Sequence, residues 1–330
     1  MQPAVLPSIR FAWWNVHNFA HYNTSRAGED RWPLEPAAYE AKCTRVDAAL
    51  QHLIAAHSPD ILGIGEITSN AAEELQSRLF PEYELIFPDA APNSSFQVAV
   101  FYRTAARFRQ RLPLMATDVP RTTRGMAIVD CTRVGHCIRF IFCHWTAFGE
   151  NSETYRERLA ETVSAHAYDF LNNSRRTITT PHVVILGDFN TEPFSDVFRD
   201  RLQAARDRDR SRQRIHPSDK DVRRIRFYNA SWRLLGEHLP HEVSGSPHHW
   251  AGTYYNAGDR TWHTYDQVLV SGSLLGNAPP YLEESSFGIT PLPGCIGAGG
   301  KPEAFSWLNG VASGLSDHLP LTGRIVFPGS

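Results

Sequence analysis

A chain of 330 residues, 42% apolar and 21% charged, has the make-up of an ordinary globular protein, long enough for one large α/β domain or two small ones. Its formal charge of −2 excludes a global basic field that would bind nucleic acid indiscriminately, though not a local patch. Residues 1–10 show no export signal, no apolar run is long enough to span a membrane, and the five scattered cysteines form no Cys-x-x-Cys pair, so a cytoplasmic protein with reduced thiols is expected.

Residues 9–15 (IRFAWWN) read as a first strand, with Asn15 as the polar side chain at its far end. A helix follows over 39–57, where Val46, Leu50, Leu53 and Ile54 recur at helical spacing and Ser58-Pro59-Asp60 supplies the stop. Residues 61–66 (ILGIGE) form a second buried strand closed by Glu66, followed by a helix over 71–79. Strands over 83–87 and 97–102 precede a hairpin of 126–131 and 137–143, which turns near Val134-Gly135-His136. Its second arm ends at His144, and Arg124 ahead of it is either a phosphate clamp or a surface arginine.

A long helix over 153–172 carries Tyr155, Leu159, Val163, His166 and Phe170 on one stripe, which makes His166 a packing residue. Val183-Val184-Ile185-Leu186 then has no polar alternation, the pattern of a strand buried on both faces. Gly187 lets the backbone pass close to a neighbour, and Asp188 and Asn190 follow two apart, with Phe189 turned back into the core. An Asx-type turn before Pro193 is the plain alternative for this box.

Between 199 and 226, eleven Lys/Arg stand against five Asp. Such a run is ordinarily a solvated face; the sharper reading is a basic insertion that contacts a phosphate backbone. Asp266 opens a strand over 265–270, His241, His248 and His249 read as surface residues, and 290–315 reads as a long surface loop. Ser316-Asp317-His318 precedes a last strand over 323–327. No linker divides the chain, so one domain over 1–330 is expected, built of two similar α/β halves face to face.

The strand-end polar residues therefore number eight: Asn15, Glu66, His144, Asp188, Asn190, Asp266, Asp317 and His318. Their order, in the settings WWNV, GIGE, CHWT, GDFNTEP, YDQVLVS and SDHLPL, resembles the endonuclease/exonuclease/phosphatase superfamily, the DNase I-like fold, across residues 9–327. The resemblance implies a four-layered α/β sandwich, two mixed β-sheets packed face to face with helices outside, and divalent-metal-dependent phosphoester hydrolysis. Hard oxygen donors with few thiols suit Mg²⁺ or Mn²⁺ better than Zn²⁺.

By the same resemblance Glu66, with Asn15 and Asp317 nearby, is the metal site. His318 contacts the scissile phosphate or manages a proton, oriented by Asp266. Asp188 orients or deprotonates the attacking water and Asn190 donates to a phosphate oxygen. His144 stabilises the transition state or protonates the leaving oxygen. One departure bears on His144: Ser95, Phe96 and Gln97 stand where DNase I has its acidic partner.

A nuclease acting on DNA or RNA is the expected function. Trp13, Trp14, Tyr254, Tyr255 and Trp262 are candidates to stack on bases, although most of them should be core. A phosphatase or lipid phosphodiesterase of the same fold, taking a phosphorylated small molecule or lipid, is the alternative. An inactive binding scaffold ranks behind both, since no box of the constellation is missing.

Overall fold

Strands and helices alternate as the apolar pattern requires in the structure, a computed structural model that describes residues 7–22, 35–88, 96–104, 108–110, 126–147, 152–173, 179–212, 227–236 and 250–328. The first half runs β1 (Ser8–Phe19), α1 (Pro36–His57), β2 (Ile61–Ile67), α2 (Ser69–Leu79), β3 (Tyr83–Ile86), β4 (Gln97–Arg103), β5 (Phe108–Gln110), β6 (Ala127–Arg133), β7 (His136–His144), α3 (Ser152–Asn173) and β8 (Thr180–Asp188). The second half is made of shorter pieces: β9 (Ala204–Ala205), α4 (Arg208–Arg212), β10 (Phe227–Asn229), β11 (Tyr254–Asn256), β12 (Thr261–His263) and β13 (Asp266–Ser271). It closes with β14 (Tyr281–Leu282), β15 (Gly288–Ile289), β16 (Ser306–Leu308), β17 (Val311–Ser313) and β18 (Leu321–Val326).

Two mixed sheets carry the fold. One has the order β14-β18-β1-β2-β4-β3 with β15 also on β18, and the other the order β5-β6-β7-β8-β13-β10-β9. Parallel pairs occur where a helix makes the crossover: α1 between β1 and β2, and α3 between β7 and β8. The β6–β7 hairpin turns through Val134 and Gly135, both at positive φ, which matches the right-handed twist of the two arms.

Each central strand feeds two cores, because alternate side chains leave opposite faces. Phe11 and Trp13 of β1, Phe140 and Phe142 of β7, Val184 and Leu186 of β8, and Val268 and Val270 of β13 fill the space between the sheets. Ala12 and Trp14 of β1 face α1 and α2, while Val183 and Ile185 of β8 face α3. The four layers are therefore helices, sheet, sheet, helix, as the fold class required. Gly63 makes the inter-sheet approach, since a Cβ there would overlap the rings of Phe142 and Trp13.

Two expectations need correction. His166 is exposed, and the buried stripe of α3 is Leu159, Ala160, Val163 and Ala167. The segment 290–315 is more than a surface loop: β16 and β17 pair across an Asn309-Gly310 turn, and Leu292, Cys295 and Leu315 are buried in the helix-side core. That ribbon is solvent-exposed and has no alternating apolar row to reveal it; the Asn-Gly dipeptide was its one signal.

Candidate active site

The inter-sheet rows all end in polar residues at the same end of the sandwich. Phe140-Phe142 continues to His144, Val184-Leu186 to Asp188, Val270-Val268 to Asp266, and Phe11-Trp13 to Asn15. Register makes three of these one rung, since Asp188 pairs with His144 on β7 and with Asp266 on β13. Gly187 permits the close β7–β8 approach beneath that rung: its φ is 146°, and a Cβ would overlap the Cys143 carbonyl. The sheets then lock across their interface, with Asn15 Nδ2 donating to Asp188 Oδ2 at 3.0 Å and Trp13 Nε1 to Asp266 Oδ1 at 2.6 Å.

Glu66 reaches the same place by another route. Counting by twos from Leu62 and Ile64, it belongs on the helix side. A register shift between Ile64 and Ile67, together with φ of 60° at Glu66, turns its carboxylate to the rung. Asn15 Nδ2 approaches Glu66 Oε1 at 3.4 Å and the Asn18 N–H donates to Oε2 at 2.7 Å. His17 and Asn18 are also at positive φ, uncommon for residues other than glycine, and the peptide between them is gripped at both ends. Its N–H goes to Glu66 and its carbonyl accepts from Lys42 Nζ.

Lys42 is 1% exposed and occupies the apolar register of α1 with Val46, Ala49, Leu50 and Leu53. Burial pushes its pKa down to about 7, against the opposing pull of Glu66 and Asp317. Asp317 itself lies 3.9 Å from His17 Nε2, and its Oδ1 is buried without a hydrogen-bond partner.

His318 sits between two carboxylates. Its Nδ1 donates to Asp266 Oδ2 at 2.7 Å, and its Nε2 lies 3.8 Å from Asp188 Oδ2. Burial alone would lower its pKa; Asp266, in contact with it, and then Asp188 and Asp317 outweigh that and hold it up, to about 10. Asp188 is raised by burial, with the His318 charge opposing. From the other side His144 Nε2 stands 3.5 Å from the same Asp188 Oδ2 and 3.7 Å from Glu66 Oε1. Asn190 closes an Asx turn by donating its N–H to Asp188 Oδ1 at 2.8 Å, and its carboxamide donates to the Trp145 carbonyl at 2.9 Å. The plain Asx-turn reading and the functional one thus coexist in one loop, and Phe189 packs against Trp145 and Phe198 as expected.

The donor set fits a hard divalent cation. Glu66 and the orphaned oxygen of Asp317 are carboxylate donors with Asn15 between the two sheets beside them, and the nearby Cys143 thiol is buried against Met126 Sδ. Asp188, Asp266 and His318 also present ligand atoms within 4.8 Å of one another and could hold a metal ion. Both Asp266 oxygens are already spent on Trp13 and His318, so that trio is better described as a hydrogen-bonded Asp266–His318 pair whose Nε2 faces Asp188 at 3.8 Å.

The sequence profile of the endonuclease/exonuclease/phosphatase family matches residues 12–318, from the β1 row to the histidine that closes the site. The chain belongs to the endonuclease/exonuclease/phosphatase family. Members of this family are phosphoester hydrolases, typically dependent on a divalent metal, and the protein is one of them. No curated protein sequence matches the chain.

Several solved structures share the fold. A family protein from Bacteroides thetaiotaomicron is 15% identical over 98% of this chain and 99% of its own, with a TM-score of 0.57. A mannosyl-6-phosphatase from the same organism is 14% identical over 97% of this chain and 100% of its own, TM-score 0.57. D. rerio TDP2 complexed with single-strand DNA product is 12% identical over 96% and 98%, TM-score 0.55. At these identities the likeness is one of fold.

In this endonuclease/exonuclease/phosphatase domain, all eight strand-end residues gather at one end of the sandwich. Arg124 and the loop histidines His241, His248 and His249 lie outside the described residues. Trp13 and Trp14 are fully buried and Tyr255 nearly so, which removes them as stacking platforms. Lys42 was not read as part of this site, and Trp13 and Tyr254 were read only as candidates to stack on bases. Tyr254 lies with its ring 4.6 Å from His318, in a stack with Tyr265 and His263. Lys42 was the legible one, a lysine in the apolar row of an amphipathic helix.

Proposed function

We propose that the protein is a divalent-cation-dependent phosphodiesterase that cleaves a polynucleotide, DNA or RNA, by in-line attack of an activated water. The observation that carries this reading is the convergence of His144 Nε2 and His318 Nε2 within 4 Å of Asp188 Oδ2, with Glu66 Oε1 3.7 Å from the same His144 nitrogen. A cation held by Glu66 and Asp317, with Asn15 alongside, would supply charge neutralisation at the phosphate oxygens; Mg²⁺ or Mn²⁺ suits these donors.

The remaining steps belong to this chain's own side chains. Asp188, its carboxylate made more basic by burial, orients and deprotonates the water. His318, held as the imidazolium by Asp266, donates from Nε2 to a non-bridging oxygen, where negative charge grows in the transition state. Asn190 adds a second donor, and His144 protonates the departing oxygen or stabilises its charge. The five free cysteines, four of them buried, support a reducing, cytoplasmic setting.

A phosphomonoesterase acting on a sugar phosphate is the second reading, favoured by the fold shared with a mannosyl-6-phosphatase. The test is a panel of plasmid DNA, single-stranded RNA, mannose 6-phosphate, a phosphoinositide and sphingomyelin, each with Mg²⁺, Mn²⁺ or EDTA. Metal-dependent cleavage of a polynucleotide with little turnover of the others is expected. Turnover confined to the sugar phosphate or to a lipid would replace this reading with the corresponding alternative.

A further inference from the structure

Among the described arginines of the basic stretch, Arg206 stands apart. Among the described residues, Arg199 pairs with Asp196 and Asp200, Arg201 with Glu157 and Glu161, Arg208 with Glu284, and Arg212 with Asp209. Arg206 is exposed and has no carboxylate partner among them; its guanidinium lies 5.2 Å from the ring centroid of Trp232. On Trp232 also leans Phe194, centroids 6.4 Å apart at 60°, and Phe194 is 60% exposed.

A single exposed phenylalanine is unremarkable on a protein surface. A tryptophan approached by a second aromatic ring and by a guanidinium that has no carboxylate partner among the described residues is a different object, since together they offer a π face, a brace behind it and a positive charge.

The cluster is built into the catalytic rim. Phe194 follows Asn190 by four residues, at most about 14 Å of extended chain. Trp232 belongs to a 3-10 turn whose preceding residue, Asn229, donates to Gln267 Oε1 at 2.8 Å. Gln267, next to Asp266, donates in turn to the Thr191 carbonyl at 2.6 Å. The loop that carries Asp188 and Asn190 and the turn that carries Trp232 are thus joined through one side chain. Glu192 adds a second tie, accepting from the Thr264 N–H at 3.2 Å.

We infer that Phe194, Trp232 and Arg206 form a subsite for a single-stranded nucleic acid, with a base stacked on Phe194 and an adjoining phosphate drawn to Arg206. This rests on the polynucleotide reading of the active site. A sugar phosphate, having neither a base nor a second phosphate, would gain nothing from such a platform.

The experiment compares two short single-stranded oligomers, one carrying bases and one built of abasic phosphodiester units, as substrates of the metal-loaded enzyme. The wild type should prefer the base-carrying oligomer in KM by about tenfold, equivalent to about 1.4 kcal/mol of stacking. Phe194→Ala should shrink that preference toward one and Phe194→Trp should retain it, whereas Arg206→Gln should raise KM for both oligomers alike, since both carry the phosphate. A preference that survives Phe194→Ala, or a KM that Arg206→Gln leaves unchanged for both oligomers, overturns the subsite. Equal turnover of the two oligomers by the wild type overturns it too, while leaving the polynucleotide reading in place. Failure to bind or cleave either oligomer removes both.

Discussion

His318 and Lys42 are two buried bases whose surroundings push them in opposite directions. Contact with Asp266 keeps the His318 imidazolium charged well into the alkaline range. Hydrolysis should therefore fall as pH rises through about 10, the value of that group, and Asp266→Asn should bring the alkaline limb down by about one to three pH units. A pH profile of kcat/KM checks this, and an unmoved limb would detach His318 from it. His318→Ala and Asp188→Ala should each lower turnover by about a thousandfold with the circular dichroism of the wild type preserved. Lys42 has the reverse linkage: its folded pKa, about 7, lies below the ordinary 10.5, so the unfolded chain binds the extra proton between those values. Its cost is fully present below pH 7, on the order of 5 kcal/mol, and disappears as pH rises toward 10.5. Lys42→Met should raise Tm at neutral pH and flatten stability over that window. Turnover should fall about tenfold, because the His17–Asn18 peptide that holds Glu66 loses its brace.

At the level of elements, the site is a rung of three strands and a bulge. His144, Asp188 and Asp266 come into line because β7, β8 and β13 pair in one register, and the Gly187 contact sets the β7–β8 spacing. Gly187→Ala should destabilise by more than about 3 kcal/mol in denaturant unfolding, since the new methyl group has only the Cys143 carbonyl to meet. Wild-type stability in that variant would mean the two strands can separate without cost. Much at this scale was legible from period-two patterning: the β8 box, the hairpin, and the strand-end placement of His144 and Asp188; Asn15, expected to end the first strand, instead precedes a register shift in a β1 that runs on to Phe19. Glu66 was legible as a strand end, but its orientation was not, because a bulge breaks the period that the reading depends on. The β16–β17 ribbon escaped for a related reason: strands exposed on both faces carry no apolar row.

For the whole molecule, the decisive fact is that two sheets present their polar ends to each other. With a formal charge of −2 and most described arginines already paired, affinity for a single-stranded polymer should depend only weakly on salt. A log–log slope of about −0.7 to −1.5 corresponds to one or two phosphates neutralised, and a slope near −5 would mean that the basic stretch grips the backbone along its length. The amino-acid sequence by itself determined the alternation of buried strands and helices, the order of the polar boxes and hence the family, because these are local patterns of hydrophobicity and residue type. Only the tertiary structure decided which of those residues touch. The bond from Trp13 to Asp266, the peptide held between Lys42 and Glu66, and the meeting of Phe194, Trp232 and Arg206 join segments far apart in the chain, and their geometry follows from how the sheets pack and where a bulge turns a side chain.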